Sequence, residues 1–192
     1  GRAAATASRE GGVTSLSDTS AGGREWFDAV AKLVAEVAAG LEYAHGRGDI
    51  HRDIKPANIQ CLDDGRVKIM DFGIARIEGG DQITRSGVMV GTLHYMSPEQ
   101  IRGTKVDGRY DIFSAGCIFY ETLAGARPFK GESATEVLYK IVHEPPEPIL
   151  ESCPDIPEQV EHILSRALAK EPDKRFSAAR EMADELERLE VV

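Results

Sequence analysis

The chain has 192 residues, 42% of them hydrophobic and 29% charged, which is enough for one globular domain with a sizeable core and short for two. Its formal net charge of −9 excludes a general surface for nucleic acid or anionic membranes, since both partners would repel an acidic protein. Three cysteines without metal-ligand spacing indicate reduced thiols and a cytoplasmic location. No apolar run reaches the roughly 18 residues of a membrane span, so we expect no membrane contact from this segment, and any anchor of the full-length protein would lie outside it.

Residues 1–25 are predicted to be a flexible leader of low complexity. They are mostly Gly, Ala, Ser, Thr and charged residues, so they offer too little apolar surface to offset the entropy lost on ordering. A start at Gly1 without an initiator methionine predicts a fragment of a longer chain. From Trp26 onward, apolar residues recur at helical spacing, which predicts an amphipathic helix that ends near Gly46.

A polar loop and a hairpin follow this helix. The polar loop, residues 50–59, carries Pro56 and cannot form a regular helix, because proline lacks the amide hydrogen that a helix interior needs. Two strand-like segments at residues 59–62 and 67–70 are joined by Asp-Asp-Gly, which is typical of a tight hairpin turn. Residues 73–96 show no period, and a loop this long in a compact domain is usually functional or mobile.

The second half of the chain is predicted to be helical. Residues 111–123 are apolar on nearly every side, which is typical of a helix buried within a domain. Ser133 is placed to cap a helix that runs to about His143, Pro157 starts a third helix, and Ser177 caps the last one. The predicted fold is therefore mainly α, a helical bundle with one small β-hairpin.

Four polar side chains around the hairpin suit one reaction. Asp53, Lys55 and Asn58 lie in the polar loop, and Asp71 follows the second strand. Two acids, an amide and a lysine are suited to transfer of a phosphoryl group from a magnesium–nucleotide to a hydroxyl. Taken singly, each has an ordinary interpretation as a turn residue or an exposed lysine. Together, at these spacings, they favour catalysis.

These residues stand in two motifs that are typical of a known family. The motifs are His51-Arg52-Asp53-Ile54-Lys55-Pro56-Ala57-Asn58 and Asp71-Phe72-Gly73. Through them the chain resembles the eukaryotic-type (Hanks-type) serine/threonine protein kinases, in particular the bacterial receptor-like subgroup. The resemblance implies the C-terminal lobe of the kinase fold over residues 26–190, with the hairpin at the catalytic cleft. It also implies a cytoplasmic signalling enzyme that transfers the γ-phosphate of ATP to Ser or Thr of a protein substrate, with Mg²⁺ as cofactor.

The resemblance gives a role to each residue around the reaction centre. Asp53 would act as the catalytic base, and Lys55 would contact the γ-phosphate. Asn58 and Asp71 would hold Mg²⁺ on the nucleotide, since both offer hard oxygen ligands. Thr92 would hydrogen-bond to Asp53 and Lys55 and is associated with Ser/Thr acceptors.

Four further positions are structural in the same resemblance. His51 would pack against Phe72 rather than act as a base, and Gly73 would let the backbone swing. Asp111 would accept hydrogen bonds from the backbone of the polar loop. As an alternative, Asp111 could be the N-cap of the buried helix.

The loop that follows Gly73 resembles a kinase activation loop. In that pattern Arg52 meets a phosphate on the loop, and Thr84 and Ser86 resemble the paired phosphoacceptors of bacterial receptor-type kinases. The Ser-Pro-Glu segment that ends the loop supplies Glu99, which would form a buried ion pair with Arg175.

The sequence departs from the family in two ways. No glycine-rich phosphate loop and no strand lysine precede the polar loop, so the N-terminal lobe is missing from this chain and is expected upstream. A chain with half of an ATP site is expected to be inactive alone. Gln60 also stands where kinases place an apolar residue beneath the adenine. A polar side chain there would weaken the apolar surface under the base, or it could instead hydrogen-bond to an adjacent group.

Two other functions compete with the protein kinase. The first is a kinase-like binding scaffold without catalysis, although such a scaffold has no physical need for the complete set of Asp53, Lys55, Asn58 and Asp71. The second is a small-molecule phosphotransferase of the aminoglycoside-kinase kind. Those enzymes usually lack the Ser-Pro-Glu segment found here.

Overall fold

The computed structural model describes residues 23–62, 65–72, 92–104 and 107–189, and most of this part is helical. Residues 1–22 of the predicted leader, the Asp-Asp corner of the hairpin and residues 73–91 lie outside the described residues. The predictions for Gly73, Thr84 and Ser86 therefore fall outside it as well. Within the described ranges, no helix is both long enough and apolar enough to cross a membrane.

The order of elements matches the predicted sequence of helix, hairpin and helices. The helices and strands are α1 Arg24–His45, β1 Ile59–Cys61, β2 Val67–Ile69, α2 Pro98–Arg102, α3 Arg109–Ala124, α4 Ala134–His143, α5 Ile149–Ser152, α6 Glu158–Ala167 and α7 Ala179–Glu187. Three short 3-10 turns lie at Pro56–Asn58, Thr92–Tyr95 and Pro172–Lys174. Since α1 begins at Arg24, the last two residues of the predicted leader belong to this helix. The short helices α2 and α5 are not predicted by the sequence pattern.

The centre of the domain is α3, which is buried on all sides as its composition predicts. Every residue from position 110 to position 120 is buried. Gly116 allows the close approach of the segment at the end of α6, because a Cβ atom there would lie 2.8 Å from the Cβ of Ala167. The helix ends at Gly125, which adopts φ 63°, a conformation that glycine tolerates and other residues avoid.

The other large helix, α1, carries the hairpin. Its apolar stripe packs against α3 and α7, with Val30, Val34 and Leu41 at most 1% exposed. The hairpin strands pair antiparallel in the register Ile59↔Ile69. The side chain of Ile69 lies over Gly40 of α1, so β2 and the residues that follow it are positioned by that helix.

Two helix starts that the sequence singles out differ in outcome. Ser133 is the N-cap of α4, and its hydroxyl accepts a hydrogen bond from the amide of Glu136, as predicted. The prediction that Ser177 caps α7 is wrong, because the N-cap is Ala178. The amide and the hydroxyl of Ser177 both donate to the Glu181 carboxylate instead, at 2.9 and 3.0 Å.

Candidate active site

Asp111 holds the backbone of the polar loop against the start of α3. It is fully buried and accepts hydrogen bonds from the amides of His51 and Arg52, both at 2.9 Å. Nε2 of His45 lies 2.8 Å from the same carboxylate. Because a buried carboxylate is costly unless its oxygens are bonded, these partners tie the loop to α3. The alternative that Asp111 is the N-cap of this helix is wrong, since that position is Gly108.

Asp53, Lys55 and Asn58 come together in one cluster. Nζ of Lys55 donates to Oδ2 of Asp53 at 2.7 Å, and Nδ2 of Asn58 approaches the same oxygen at 3.3 Å. Nδ2 of Asn58 also donates to the backbone oxygen of Asp53 at 2.8 Å. Both side-chain donors use Oδ2, so Oδ1 of Asp53 has no hydrogen bond within the described part of the chain. Among these residues, Oδ1 is therefore the carboxylate oxygen that is left to accept a further hydrogen bond.

Thr92 approaches this cluster from the 3-10 turn that precedes α2. Its Oγ1 accepts from Nζ of Lys55 at 3.4 Å. The predicted bond from Thr92 to Asp53 is not found among the described residues. The lysine stands between the two, and it links the turn to the polar loop.

Met70 brings Asp71 to the polar loop. Its amide donates to the backbone oxygen of Asn58 at 2.9 Å, and its own oxygen lies 2.7 Å from Nε2 of His51. Asp71 follows directly, in a left-handed conformation with φ 61°, and its side chain is exposed. The rings of His51 and Phe72 meet edge to face, with centroids 4.6 Å apart. The structure thus places Met70, the residue before Asp71, against Asn58, and Phe72 against His51.

The two ring nitrogens of His51 are both engaged. Nδ1 accepts from the amide of Asp53 at 3.3 Å, so the ring hydrogen belongs on Nε2, which faces the oxygen of Met70. A histidine with both nitrogens engaged has none free to take a substrate proton. The geometry favours a packing role for this residue.

The oxygens of Asn58 and Asp71 fit a magnesium ion chemically. The amide nitrogen of Asn58 is used by Asp53, which leaves its carbonyl oxygen as a ligand, and the Asp71 carboxylate has no hydrogen bond to other described residues. No three His, Cys, Asp or Glu residues converge as a metal site in the described ranges. Magnesium in nucleotide sites is typically held by one or two protein carboxylates and by the phosphates, so this sparse donor set is suitable.

Glu99 and Arg175 lie against each other in the interior. The guanidinium nitrogens donate to the two carboxylate oxygens at 2.7 and 2.6 Å, and the side chains are 8% and 0% exposed. Arg175 also donates to the backbone oxygens of Ala169, Arg109 and Lys170. The paired oxygens and nitrogens form the bidentate geometry that makes Arg–carboxylate pairs strong.

Arg52 and Gln60 both face solvent. The Arg52 guanidinium has no ion pair among the described residues, while its backbone adopts φ 66°. Gln60 is exposed on β1 and pairs in register with Lys68. A further residue of the site, Gln100 of α2, donates through Nε2 to the backbone oxygen of Arg52 at 2.7 Å. The Ser-x-x-Gln spacing, which the helix predictions above do not use, is a signal that could have indicated the start of α2, but no sequence signal indicates the bond to the polar loop.

Comparison with known proteins agrees with this arrangement. The protein kinase domain family matches residues 16–186. The serine/threonine-protein kinase PknB of Mycolicibacterium smegmatis is 42% identical over 160 residues, which cover 82% of this chain and 26% of that protein. A probable serine/threonine-protein kinase of Streptomyces coelicolor is 43% identical over 158 residues, which cover 81% of this chain and 24% of the relative.

A third relative shows a similar degree of identity. The probable serine/threonine-protein kinase PknB of Corynebacterium glutamicum is 42% identical over 165 residues, covering 83% of this chain and 26% of the relative. The chain thus spans about a quarter of the length of the curated relatives it matches. On the family match and these identities, the chain belongs to the protein kinase domain family, among the Hanks-type serine/threonine kinases of bacteria.

Proposed function

We propose that this chain is the C-terminal catalytic part of a serine/threonine protein kinase that transfers the γ-phosphate of ATP to Ser or Thr hydroxyls of proteins. The observation that carries the proposal is the Asp53 carboxylate, which has one oxygen bound by Lys55 and Asn58 and the other without a partner among the residues that the structure describes. A scaffold without catalysis has no physical need for such an arrangement.

The residues of the cluster divide the work of phosphoryl transfer. Asp53 orients the substrate hydroxyl through Oδ1 and accepts its proton as the hydroxyl oxygen attacks the γ-phosphorus. Lys55, already in contact with Asp53, neutralises charge on the transferred group. Asn58 and Asp71 would hold Mg²⁺, which when bound offsets the negative charge of the phosphates. Since the transition state is loose, orientation matters more than the basicity of Asp53.

Regulation by phosphorylation is part of the proposal. Arg52 is exposed beside the catalytic aspartate and has no ion pair among residues 23–62, 65–72, 92–104 and 107–189. A phosphate on Thr84 or Ser86 would supply the missing anion and hold the activation loop in place. Mass spectrometry of the autophosphorylated full-length protein would find these two sites if the proposal is right.

The test compares initial rates of Mg·ATP-dependent protein phosphorylation by the full-length protein that contains this chain. Asp53→Asn is expected to lower the rate by roughly 10²- to 10⁴-fold, because the positioned proton acceptor is lost. Asp49→Asn makes the same chemical change at an exposed aspartate and is expected to leave the rate unchanged. Equal rates for all three proteins would favour the scaffold function.

The isolated chain is the second arm of the same test. It is expected to bind ATP weakly and to phosphorylate protein slowly, because the groups that clamp the α- and β-phosphates are expected upstream. Robust Asp53-dependent phosphorylation by the isolated chain would contradict this part of the proposal.

A further inference from the structure

Gln100 uses both ends of its side chain at once. Its Oε1 accepts from the amide of Ser97 at 2.9 Å, and the Ser97 hydroxyl accepts from the amide of Gln100 at 3.3 Å. The two bonds form the capping box at the start of α2. The remaining group, Nε2, points away from its own helix and donates to the backbone oxygen of Arg52 at 2.7 Å.

The peptide group that receives this bond leads directly into Asp53. Its oxygen is held by Gln100, and its amide, which belongs to Asp53, donates to Nδ1 of His51. On the other side of Arg52, the amide is held by Asp111 at 2.9 Å. The backbone of Arg52 is therefore fixed at both its amide and its carbonyl by side chains from α3 and α2.

Arg52 needs such support because of its own conformation. A φ of 66° brings Cβ too close to the following carbonyl oxygen, which strains the backbone of any residue other than glycine. A strained residue persists only when its surroundings hold it. If the carbonyl is released, the peptide before Asp53 can rotate, and the carboxylate moves with it.

We propose that Gln100 is a positioning residue for catalysis. The Gln100 side chain that caps α2 also hydrogen-bonds to the peptide before Asp53, a contact that we call the clamp. The orientation of the Asp53 carboxylate therefore depends on α2 being in place. The activation loop ends at this helix, which makes the clamp a direct link between the end of that loop and the catalytic aspartate. The expected effect of this contact on kcat rests on the proposed function, whereas the contact itself does not.

Two substitutions separate the clamp from the cap. Gln100→Glu keeps an oxygen for the Ser97 amide, as in the common Ser-x-x-Glu capping box, but has no hydrogen to donate to the Arg52 carbonyl. Ser97→Ala removes the hydroxyl of the cap and leaves both bonds of the Gln100 side chain possible. A purely structural role in α2 predicts that Ser97→Ala, which weakens the cap, is the more disruptive change, whereas a positioning role predicts that only Gln100→Glu affects Asp53.

Amide hydrogen exchange of the full-length protein tests the clamp without any need for activity. In Gln100→Glu, the amide of Asp53 is expected to exchange about fivefold faster, because the peptide that contains it loses one of its hydrogen bonds. In Ser97→Ala, the amide of Asp53 is expected to exchange at the wild-type rate. The amides of α7 serve as an internal control and are expected to exchange at the wild-type rate in both variants. Unchanged exchange at Asp53 in Gln100→Glu, or equal increases in both variants, would overturn the clamp.

Steady-state kinetics on the same proteins test the positioning role. We expect kcat of Gln100→Glu to fall roughly 10- to 100-fold with KM for ATP and for protein substrate within about twofold, because orientation and not binding is lost. Ser97→Ala is expected to keep kcat. Faster exchange at Asp53 with an unchanged kcat would overturn the positioning role. A wild-type protein that lacks activity would overturn the proposed function and leave the exchange result as it stands.

Discussion

At the scale of single residues, the domain interior contains a buried ion pair that is tolerated because its charged groups have several hydrogen-bond partners. The side chain of Arg175 is 0% exposed, and it bonds to both oxygens of Glu99 and to three backbone carbonyls. Removing one partner of such a pair leaves the other charge buried and unpaired, which costs more than the pair itself contributes. The pair joins two segments 76 positions apart, so it holds α2 to the segment that precedes α7.

Arg175→Met is expected to lower the free energy of unfolding by about 3–5 kcal/mol, because the Glu99 carboxylate would be left buried without its partner. Urea denaturation, followed through the fluorescence of the single tryptophan, measures the loss. Lys174→Met is the matched control. Lys174 pairs with Glu171 on the surface, where both side chains are about two-thirds exposed, so little change is expected. Similar losses of unfolding free energy in both variants would contradict the prediction that breaking the buried pair costs more than breaking an exposed one.

At the scale of elements, the position of α3 against the end of α6 depends on the absence of one side chain. A Cβ atom at Gly116 would lie 2.8 Å from the Cβ of Ala167 and 3.2 Å from a methyl carbon of Leu168. Neither neighbour is the flexible end of a long side chain. An added methyl group would therefore push the two segments apart.

Gly116→Ala is expected to destabilise the domain by about 1–3 kcal/mol through this overpacking. Gly46→Ala provides the comparison, because Gly46 has φ −62° and a Cβ there would make ordinary contacts from 3.5 Å outward. That variant is expected to be neutral or slightly stabilising. Thermal unfolding of both variants decides the matter, and a lower melting temperature for Gly46→Ala than for Gly116→Ala would contradict the packing argument.

The carbonyl end of α4 is held by two cations from outside the helix. Nζ of Lys170 donates to the backbone oxygens of Lys140 and Ile141 at 3.2 and 2.6 Å, and Arg102 donates to that of Val142 at 3.2 Å. Cations are favoured at a helix C-terminus by the unpaired carbonyls and the helix dipole. Burial nevertheless lowers the pKa of Lys170 from 10.5 to about 8.

This lowered pKa predicts a dependence of stability on pH. Between about pH 8 and 10.5 the unfolded chain holds a proton on Lys170 that the folded chain has lost, so the contribution of Lys170 to stability rises with pH in that window. Relative to Lys170→Met, the wild type is expected to gain on the order of 2 kcal/mol from pH 7 to pH 10, since one pKa unit corresponds to about 1.4 kcal/mol. Urea titrations of both proteins at the two pH values cancel the other titrating groups. The prediction would be contradicted if the difference in free energy of unfolding between the wild type and Lys170→Met were the same at pH 7 and pH 10.

At the scale of the whole molecule, the long helices are predictable from the sequence and the short ones are not. In α1, α4 and α6 the apolar residues repeat at the helical period, and α3 is apolar nearly all round, so local pattern and tertiary packing agree. With five and four residues, α2 and α5 are too short to show a period, and their existence depends on the surfaces around them.

In the candidate site, too, contacts between residues close in sequence are predictable, and contacts between distant residues are not. Asp53, Lys55 and Asn58 lie within six consecutive positions, so their spacing shows that they can share one volume. The bond from Gln100 to Arg52 joins residues 48 positions apart and exists only once the fold has brought α2 to the polar loop. The family resemblance alone predicts Thr92 near the cluster, with bonds to both Asp53 and Lys55, and among the described residues the fold provides only the bond from Lys55.

The central claim is that Asp53 and the residues packed around it direct phosphoryl transfer to protein Ser and Thr hydroxyls. The most direct measurement is to incubate the full-length protein with Mg·ATP and protein acceptors and to locate the new phosphates by mass spectrometry. The claim predicts phosphate on Ser and Thr residues only. Phosphate found mainly on tyrosine, or on small molecules in place of protein, would contradict it.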